Sequence, residues 1–257
     1  MSKQSDTFID RLVQRRALAR WSRAARLADR LDLASLRQLR GDARQIRREL
    51  DRLLHVAEGR LTLPLIGKDT IERPLGTDWA WRPELWSGPV VPGGIAAAEN
   101  RATMGDGTTL FHDCVVSELT LRQIRNTREA DLAPFGLRMD VFQFDGSFLS
   151  VVIDLPEAAV RGLKLTHLIR LAAVIEAEKP LEIFARLNVK HGPNTEQIVA
   201  EVPLHGREQT VEFDLAYTRL NEKRVEKAWV DLIFEGPQMN QVILRDLTLS
   251  RRPRAEI

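Results

Sequence analysis

A break in character near residue 60 most constrains this chain: a helical, arginine-rich segment gives way to a longer stretch in which apolar and polar residues alternate. The first 60 residues hold 15 Lys+Arg against 8 Asp+Glu and the remainder 23 against 28, so a cationic segment precedes a mildly anionic one. A stripe recurring every three to four residues suits a helix, and a period of two suits a pleated strand. The expected fold class is therefore mainly β, an antiparallel two-sheet sandwich of jelly-roll type preceded by an N-terminal basic α-helical arm. The segments read as an arm over 1–58, a Pro/Gly/Trp-rich bridge over 59–100 wrapping the body, and a sandwich domain over 101–257.

Residues 7–31 lack Gly and Pro and are rich in Ala, Leu and Arg, all good helix formers. A second helix is expected from Leu33 to Ala57, where Leu36, Leu39, Ala43, Ile46, Leu50, Leu53 and Ala57 alternate steps of three and four, a heptad seam. Three uses of the arm follow. Its helices could pack as a hairpin or onto the body. The seam at Leu36, Leu39, Ile46, Leu50 and Leu53 could form a homo-oligomer. Or the first helix could lie on an anionic membrane, with Arg11, Arg15, Arg16, Arg20 and Arg23 meeting headgroups and Trp21 inserted. The same charges would attract nucleic acid, although no base-reading motif accompanies them.

Between Gly59 and Asn100 lie Pro64, Pro74, Pro83, Pro89 and Pro92, which exclude a long helix and leave room only for short edge strands. Trp79, Trp81 and Trp86 stand in this segment. So much aromatic surface belongs against a core, the alternative being a platform for sugars or bases.

Beyond the bridge, ten strands are expected: Thr109–Val116, Leu119–Arg125, Gly136–Phe144, Phe148–Leu155, His167–Glu176, Leu181–Lys190, Gln197–Leu204, Thr210–Asp214, Glu226–Phe234 and Gln241–Ser250. Asp145-Gly146, Gly192-Pro193 and Gly236-Pro237 supply turns. Alternation puts Ile183, Ala185, Leu187 and Val189 on one face and Phe184, Arg186, Asn188 and Lys190 on the other. It likewise separates Ala228, Val230, Leu232 and Phe234 from Trp229, Asp231 and Ile233. If these strands share a sheet, Phe184, Arg186, Asn188, Trp229 and Asp231 line its open face. A ring for a sugar's C–H face beside carboxylate, amide and guanidinium groups for its hydroxyls suits a saccharide. The structural alternative makes Trp229 core and pairs Arg186 with Asp231.

A hydrophobic fraction of 44% with 29% charged residues excludes global disorder. The single cysteine, Cys114, excludes an intrachain disulfide and a multi-thiolate metal site. No run of 18 apolar residues occurs, so no transmembrane span is expected. The arginines after Arg15-Arg16 leave no apolar signal region, and the expected location is cytoplasmic, peripheral at the membrane if the arm binds lipid. His112, Asp113 and Cys114 are consecutive, but in a strand Asp113 would point away from the other two. With no phosphate-cradling glycine loop, no HExxH and no GxSxG, no catalytic residue, cofactor or metal is assigned.

Phe111-His112-Asp113-Cys114, Leu121-Arg122-Gln123-Ile124-Arg125-Asn126, Ala185-Arg186-Leu187-Asn188 and the ending Arg251-Arg252-Pro253-Arg254-Ala255-Glu256 together resemble an uncharacterised bacterial family of unknown function. The strand pattern is also similar to carbohydrate-binding and galactose-binding-like sandwiches. These readings converge on a binding or scaffold protein, without enzymatic activity, whose sandwich recognises a glycan or a protein while the arm attaches or self-associates. The alternatives are a hydrolytic or carbohydrate-active enzyme, or a peripheral membrane or nucleic-acid-associated protein.

Overall fold

A computed structural model describes the backbone of residues 8–66 and 70–254 and the side chains of 13–57 and 70–254. The chain forms two compact units that divide between Leu53 and Leu54. Two helices dominate the first part, α1 (Phe8–Leu27) and α2 (Leu33–Ile66). Asp32 starts α2 by accepting the N–H groups of Ala34 and Ser35 on Oδ1, both at 3.0 Å, and the hydrogen bonds from Ser35 hold its carboxyl below the usual range. The helix does not stop at Ala57, as the Pro/Gly content of the bridge implied, but continues through Gly59 and Pro64 to Ile66. One glycine costs a helix only about 1 kcal/mol, and a proline in the last turn forfeits its bond where few residues remain to be held.

The second unit is the antiparallel two-sheet sandwich. Its seven-stranded sheet runs in the order β10 (Gln209–Asp214), β7 (His167–Ala177), β12 (Asn240–Pro253), β5 (Phe135–Val141), β4 (Leu119–Arg125) and β2 (Gly94–Ile95), with β1 (Trp79–Trp81) paired to the far half of β12. The five-stranded sheet runs β3 (Thr108–His112), β6 (Leu149–Asp154), β11 (Val225–Glu235), β8 (Glu182–His191) and β9 (Asn194–Glu201). From β3 onward the chain passes repeatedly from one sheet to the other, the crossing pattern of a jelly roll. All ten expected strands are present, and the bridge contributes two short ones, β1 and β2.

Alternation decides what the sheets enclose. Ile183, Ala185, Leu187 and Val189 of β8 and Ala228, Val230, Leu232 and Phe234 of β11 point inward, against Ile169, Leu171 and Ala173 of β7 and Leu247 and Leu249 of β12. Each large apolar side chain so buried contributes roughly 1.5–3 kcal/mol. The turn after β8 reverses at Gly192, whose φ of 59° costs an L side chain strain.

The bridge is tied to this core. Trp86, in the short helix α3 (Glu84–Ser87), is fully buried and donates its indole N–H to Leu244 O at 2.8 Å. Trp79 and Trp81 stack with centroids 6.4 Å apart and pack, half-buried, against the core, so packing rather than an open platform accounts for the three rings. His55 seats against Gly88, where a Cβ would come within 2.5 Å of the imidazole. A bulge between Leu244 and Asp246 turns Asp246 toward Arg82, which it grips through Nε at 2.8 Å and Nη2 at 2.9 Å.

His167 opens β7 and is buried, its Nδ1 accepting the Lys164 N–H at 3.1 Å. Burial, reinforced by the Arg251 guanidinium, lowers its pKa from the ordinary value of 6.5. The unfolded chain therefore holds more protons just below that value, so the stability contributed by the neutral ring is whole above pH 6.5 and is lost as pH falls toward the lowered folded value. Melting midpoints are expected to drop between about pH 7.5 and pH 5.5, and to drop less in His167→Gln. Equal slopes in the two proteins would rule the assignment out.

Candidate functional site

The outward face of the five-stranded sheet can be read row by row from its register. Phe111, Ser150, Ile233, Phe184 and Glu201 face one another across β3, β6, β11, β8 and β9. The next outward row is Thr109, Val152, Asp231, Arg186 and Val199, and the one after it Asp154, Trp229, Asn188 and Gln197. A depression of about 390 Å³ lies on this face, lined by Phe111, Phe148, Ser150, Val152, Arg186, Trp229, Asp231 and Ile233. That volume falls within the range of small-molecule sites.

Its floor is polar and organised. Asp231 is 3% exposed although it stands in the outward-facing row of the sheet. A carboxylate so shielded requires a cationic partner, and Arg186 supplies it from the neighbouring strand, with Nε at 2.7 Å and Nη2 at 2.5 Å from Oδ2. Asn188 donates Nδ2 to the same oxygen at 3.2 Å and accepts from Gln197 Nε2 at 2.9 Å. Every donor converges on Oδ2. Oδ1 accepts no hydrogen bond from the described residues, and the indole N–H of Trp229 finds no acceptor among them. Lys227 Nζ stands 5.0 Å from the Trp229 ring centroid, a cation–π contact that fixes the ring from one side. The site thus offers one carboxylate oxygen, one indole donor, the half-exposed Arg186 guanidinium and three aromatic rings.

Asp113 builds the rim. Its Oδ1 accepts the N–H groups of Ser147 and Phe148 at 2.7 and 3.2 Å, and its Oδ2 accepts the Ser147 hydroxyl at 2.5 Å. These bonds, the hydroxyl's foremost, hold its carboxyl below the usual range. Gly146 is required in the same turn, because a Cβ there would lie 2.6 Å from Asp113 Oδ1. The turn carries Phe148, 42% exposed, to the edge of the depression.

Of the residues singled out from sequence, Arg186, Trp229 and Asp231 line the depression. Phe184 and Asn188 share the face but lie outside the lining, Asn188 being only 1% exposed and engaged in the network beneath. The pairing of Arg186 with Asp231 is present as the structural alternative required, while Trp229 stays half-buried on the outer face and is no core residue. Phe111, Phe148, Ser150 and Val152 escaped sequence reading as site residues, while Ile233 was placed on the outward face beside Trp229 and Asp231 without being assigned to the site. Phe111 and Phe148 each fell at or inside an expected strand, but nothing in the sequence places β3 and β6 beside β11.

His112, Asp113 and Cys114 do not converge: His112 is buried with Nε2 2.9 Å from Ala98 O, and Asp113 serves the turn. Burial pushes the Cys114 thiol up, away from the thiolate that nucleophilic chemistry needs. Among the described residues no group of three or more His, Cys, Asp or Glu side chains could hold a metal ion, and no helix is long and apolar enough to cross a membrane. In the arm, Arg15, Arg16, Arg20 and Arg23 are exposed and Trp21 is half-buried, while the Arg11 side chain lies outside the described residues. Within the α2 seam, Leu36 and Leu39 are half-buried and Ile46, Leu50 and Leu53 exposed.

Comparison with known proteins gives three findings. No curated protein matches the chain. Among solved structures, the family 11 carbohydrate-binding module of Clostridium thermocellum, in complex with a β-1,3-1,4-mixed-linked tetrasaccharide, is similar at 11% identity over 64% of this chain and 97% of that one, with a TM-score of 0.39. A xylan-binding domain from Paenibacillus barcinonensis is similar at 6% identity over 71% of this chain and 100% of that one, with a TM-score of 0.36. The enzymatically active domain of tailspike protein 4 from bacteriophage CBA120 is similar at 8% identity and a TM-score of 0.40, over 56% of this chain but only 19% of that one. Finally, a model of a family of unknown function matches residues 1–257.

Proposed function

The chain belongs to that family of unknown function, DUF6478, and since membership brings no activity with it, we propose from the residues of the site that this is a glycan-binding protein. The sugar would lie across the outward face of the five-stranded sheet. The observation that carries the reading is the pairing of a shielded carboxylate having one unengaged oxygen with aromatic rings in a single depression. A pyranose presents an apolar C–H face and a rim of hydroxyls. Phe111, Phe148 and Trp229 suit the first, and Asp231 Oδ1, the Trp229 N–H and Arg186 suit the second.

The remaining polar groups explain why the floor would hold its shape without ligand. Arg186, Asn188 and Gln197 orient the Asp231 carboxylate before any sugar arrives, which reduces the ordering cost of binding. Among the described residues of the larger sheet and its margins, Arg170 pairs with Glu208, Arg138 with Asp140, and Arg252 with Glu212, so these carboxylates are already matched.

Titration of the full chain with a panel of soluble neutral and uronic-acid-containing polysaccharides, followed by tryptophan fluorescence and calorimetry, is expected to give saturable binding to at least one class. A folded protein that gives no heat and no fluorescence change with any member would end the proposal.

A further inference from the structure

The arginines of the first unit differ from those of the second in one respect. In the sandwich most are matched to carboxylates, as Arg82 is to Asp246, Arg186 to Asp231 and Arg251 to Asp78. On α1 and the turn after it, Arg15, Arg16, Arg20, Arg23, Arg26 and Arg30 form no ion pair among the described residues. In α2, among the described residues of this unit, Arg47 pairs with Asp51 and Arg52 with Glu49, both exposed.

Their placement is ordered. Val13, Arg16, Arg20, Arg23, Leu27 and Arg30 follow one another in alternate steps of three and four, which is one stripe of a helix, and all six are exposed. The half-buried residues of α1 and its last turn, Trp21, Ala24 and Ala28, follow the same steps on a different stripe. Trp21 and, beside it, Arg20 line a cavity of about 410 Å³ with Ile46 and Leu50 of α2, so the second stripe is turned toward α2 and Arg20 stands at its border. Trp21, half-buried on the second stripe, does not belong to the first. The first stripe, one of several exposed on α1, mixes four arginines with two aliphatic side chains, Val13 at 59% and Leu27 at 44% exposure.

We infer that this stripe docks the protein on an anionic phospholipid surface. A bilayer interface satisfies both components: headgroup phosphates take the guanidinium groups, and Val13 and Leu27 enter the acyl boundary. A nucleic-acid backbone would match the arginines but leave the two aliphatic side chains against phosphate. A second copy of the stripe would set arginine against arginine.

The test is flotation of the full chain with vesicles of phosphatidylcholine containing about one-third phosphatidylglycerol, beside vesicles of phosphatidylcholine alone. Recovery is expected with the anionic vesicles only, and should vanish at about 0.5 M salt, where screening shortens the reach of the charges. Each arginine near such a surface contributes a factor of about five. Arg16→Gln, Arg20→Gln and Arg23→Gln together should thus weaken partitioning about a hundredfold, while the matching Arg→Lys triple retains it. Val13→Ser with Leu27→Ser should weaken vesicle binding about tenfold and leave attraction to a random-sequence DNA duplex unchanged. Equal recovery with both vesicle types, or none with either, overturns the inference without reference to any variant. So does DNA binding at the same salt in the absence of vesicle recovery, which would assign the stripe to nucleic acid. Polysaccharide titration is read independently, so failure here leaves the glycan proposal untouched.

Discussion

Replacing Asp246 by alanine is expected to destabilise the sandwich by about 3–5 kcal/mol, because it breaks a buried ion pair with Arg82. The Arg82 side chain is 3% exposed and reaches the Asp246 carboxylate through two nitrogens, while Asp246 Oδ1 also accepts the Leu247 N–H. With the carboxylate gone, Arg82 loses two charge-assisted hydrogen bonds and the Leu247 N–H loses its acceptor. The comparison is Glu157→Ala, which removes the partner of Arg161 from a pair more than three-quarters exposed on both sides. Such a pair is worth at most about 1 kcal/mol. Urea denaturation of the two variants decides the matter, and coincident midpoints would refute it.

The second large effect concerns binding. Trp229→Ala is expected to weaken the polysaccharide interaction about thirtyfold, the loss typical of an aromatic anchor worth about 2 kcal/mol. Asp231→Asn keeps the size of the side chain but replaces the charged acceptor, and a loss of about tenfold is expected for one charge-assisted hydrogen bond. Val199→Ala is the control: it lies on β9 opposite Arg186, 56% exposed, outside the depression. Calorimetry with the polysaccharide that binds the parent protein provides the readout. If Val199→Ala weakens binding as much as Trp229→Ala does, the ligand lies elsewhere on the sheet.

The arm and the sandwich owe different amounts to their sequences. The strands were legible where apolar residues recur at every second position between turn signals. In β8 the series Ile183, Ala185, Leu187 and Val189 leaves no choice of which side is buried. Helix α2 was legible at its start, where Asp32 caps it, and not at its end, where glycine and proline signals gave way to continued helical pairing. Within the site, Arg186 and Asp231 could be matched from alternation once β8 and β11 were supposed adjacent. Phe111 and Phe148 could not, because their approach depends on strands far apart in the chain and on a turn fastened by Asp113.

Sequence alone determined the class of fold and the inward or outward sense of the residues of β8 and β11, since both follow from side-chain period and polarity, which are local. Tertiary structure alone decided strand order, the gathering of three aromatic rings around Asp231, and which residues of α1 turn toward α2. Those depend on pairings between distant segments, and burial of apolar surface rewards many pairings almost equally until register and turn geometry select one.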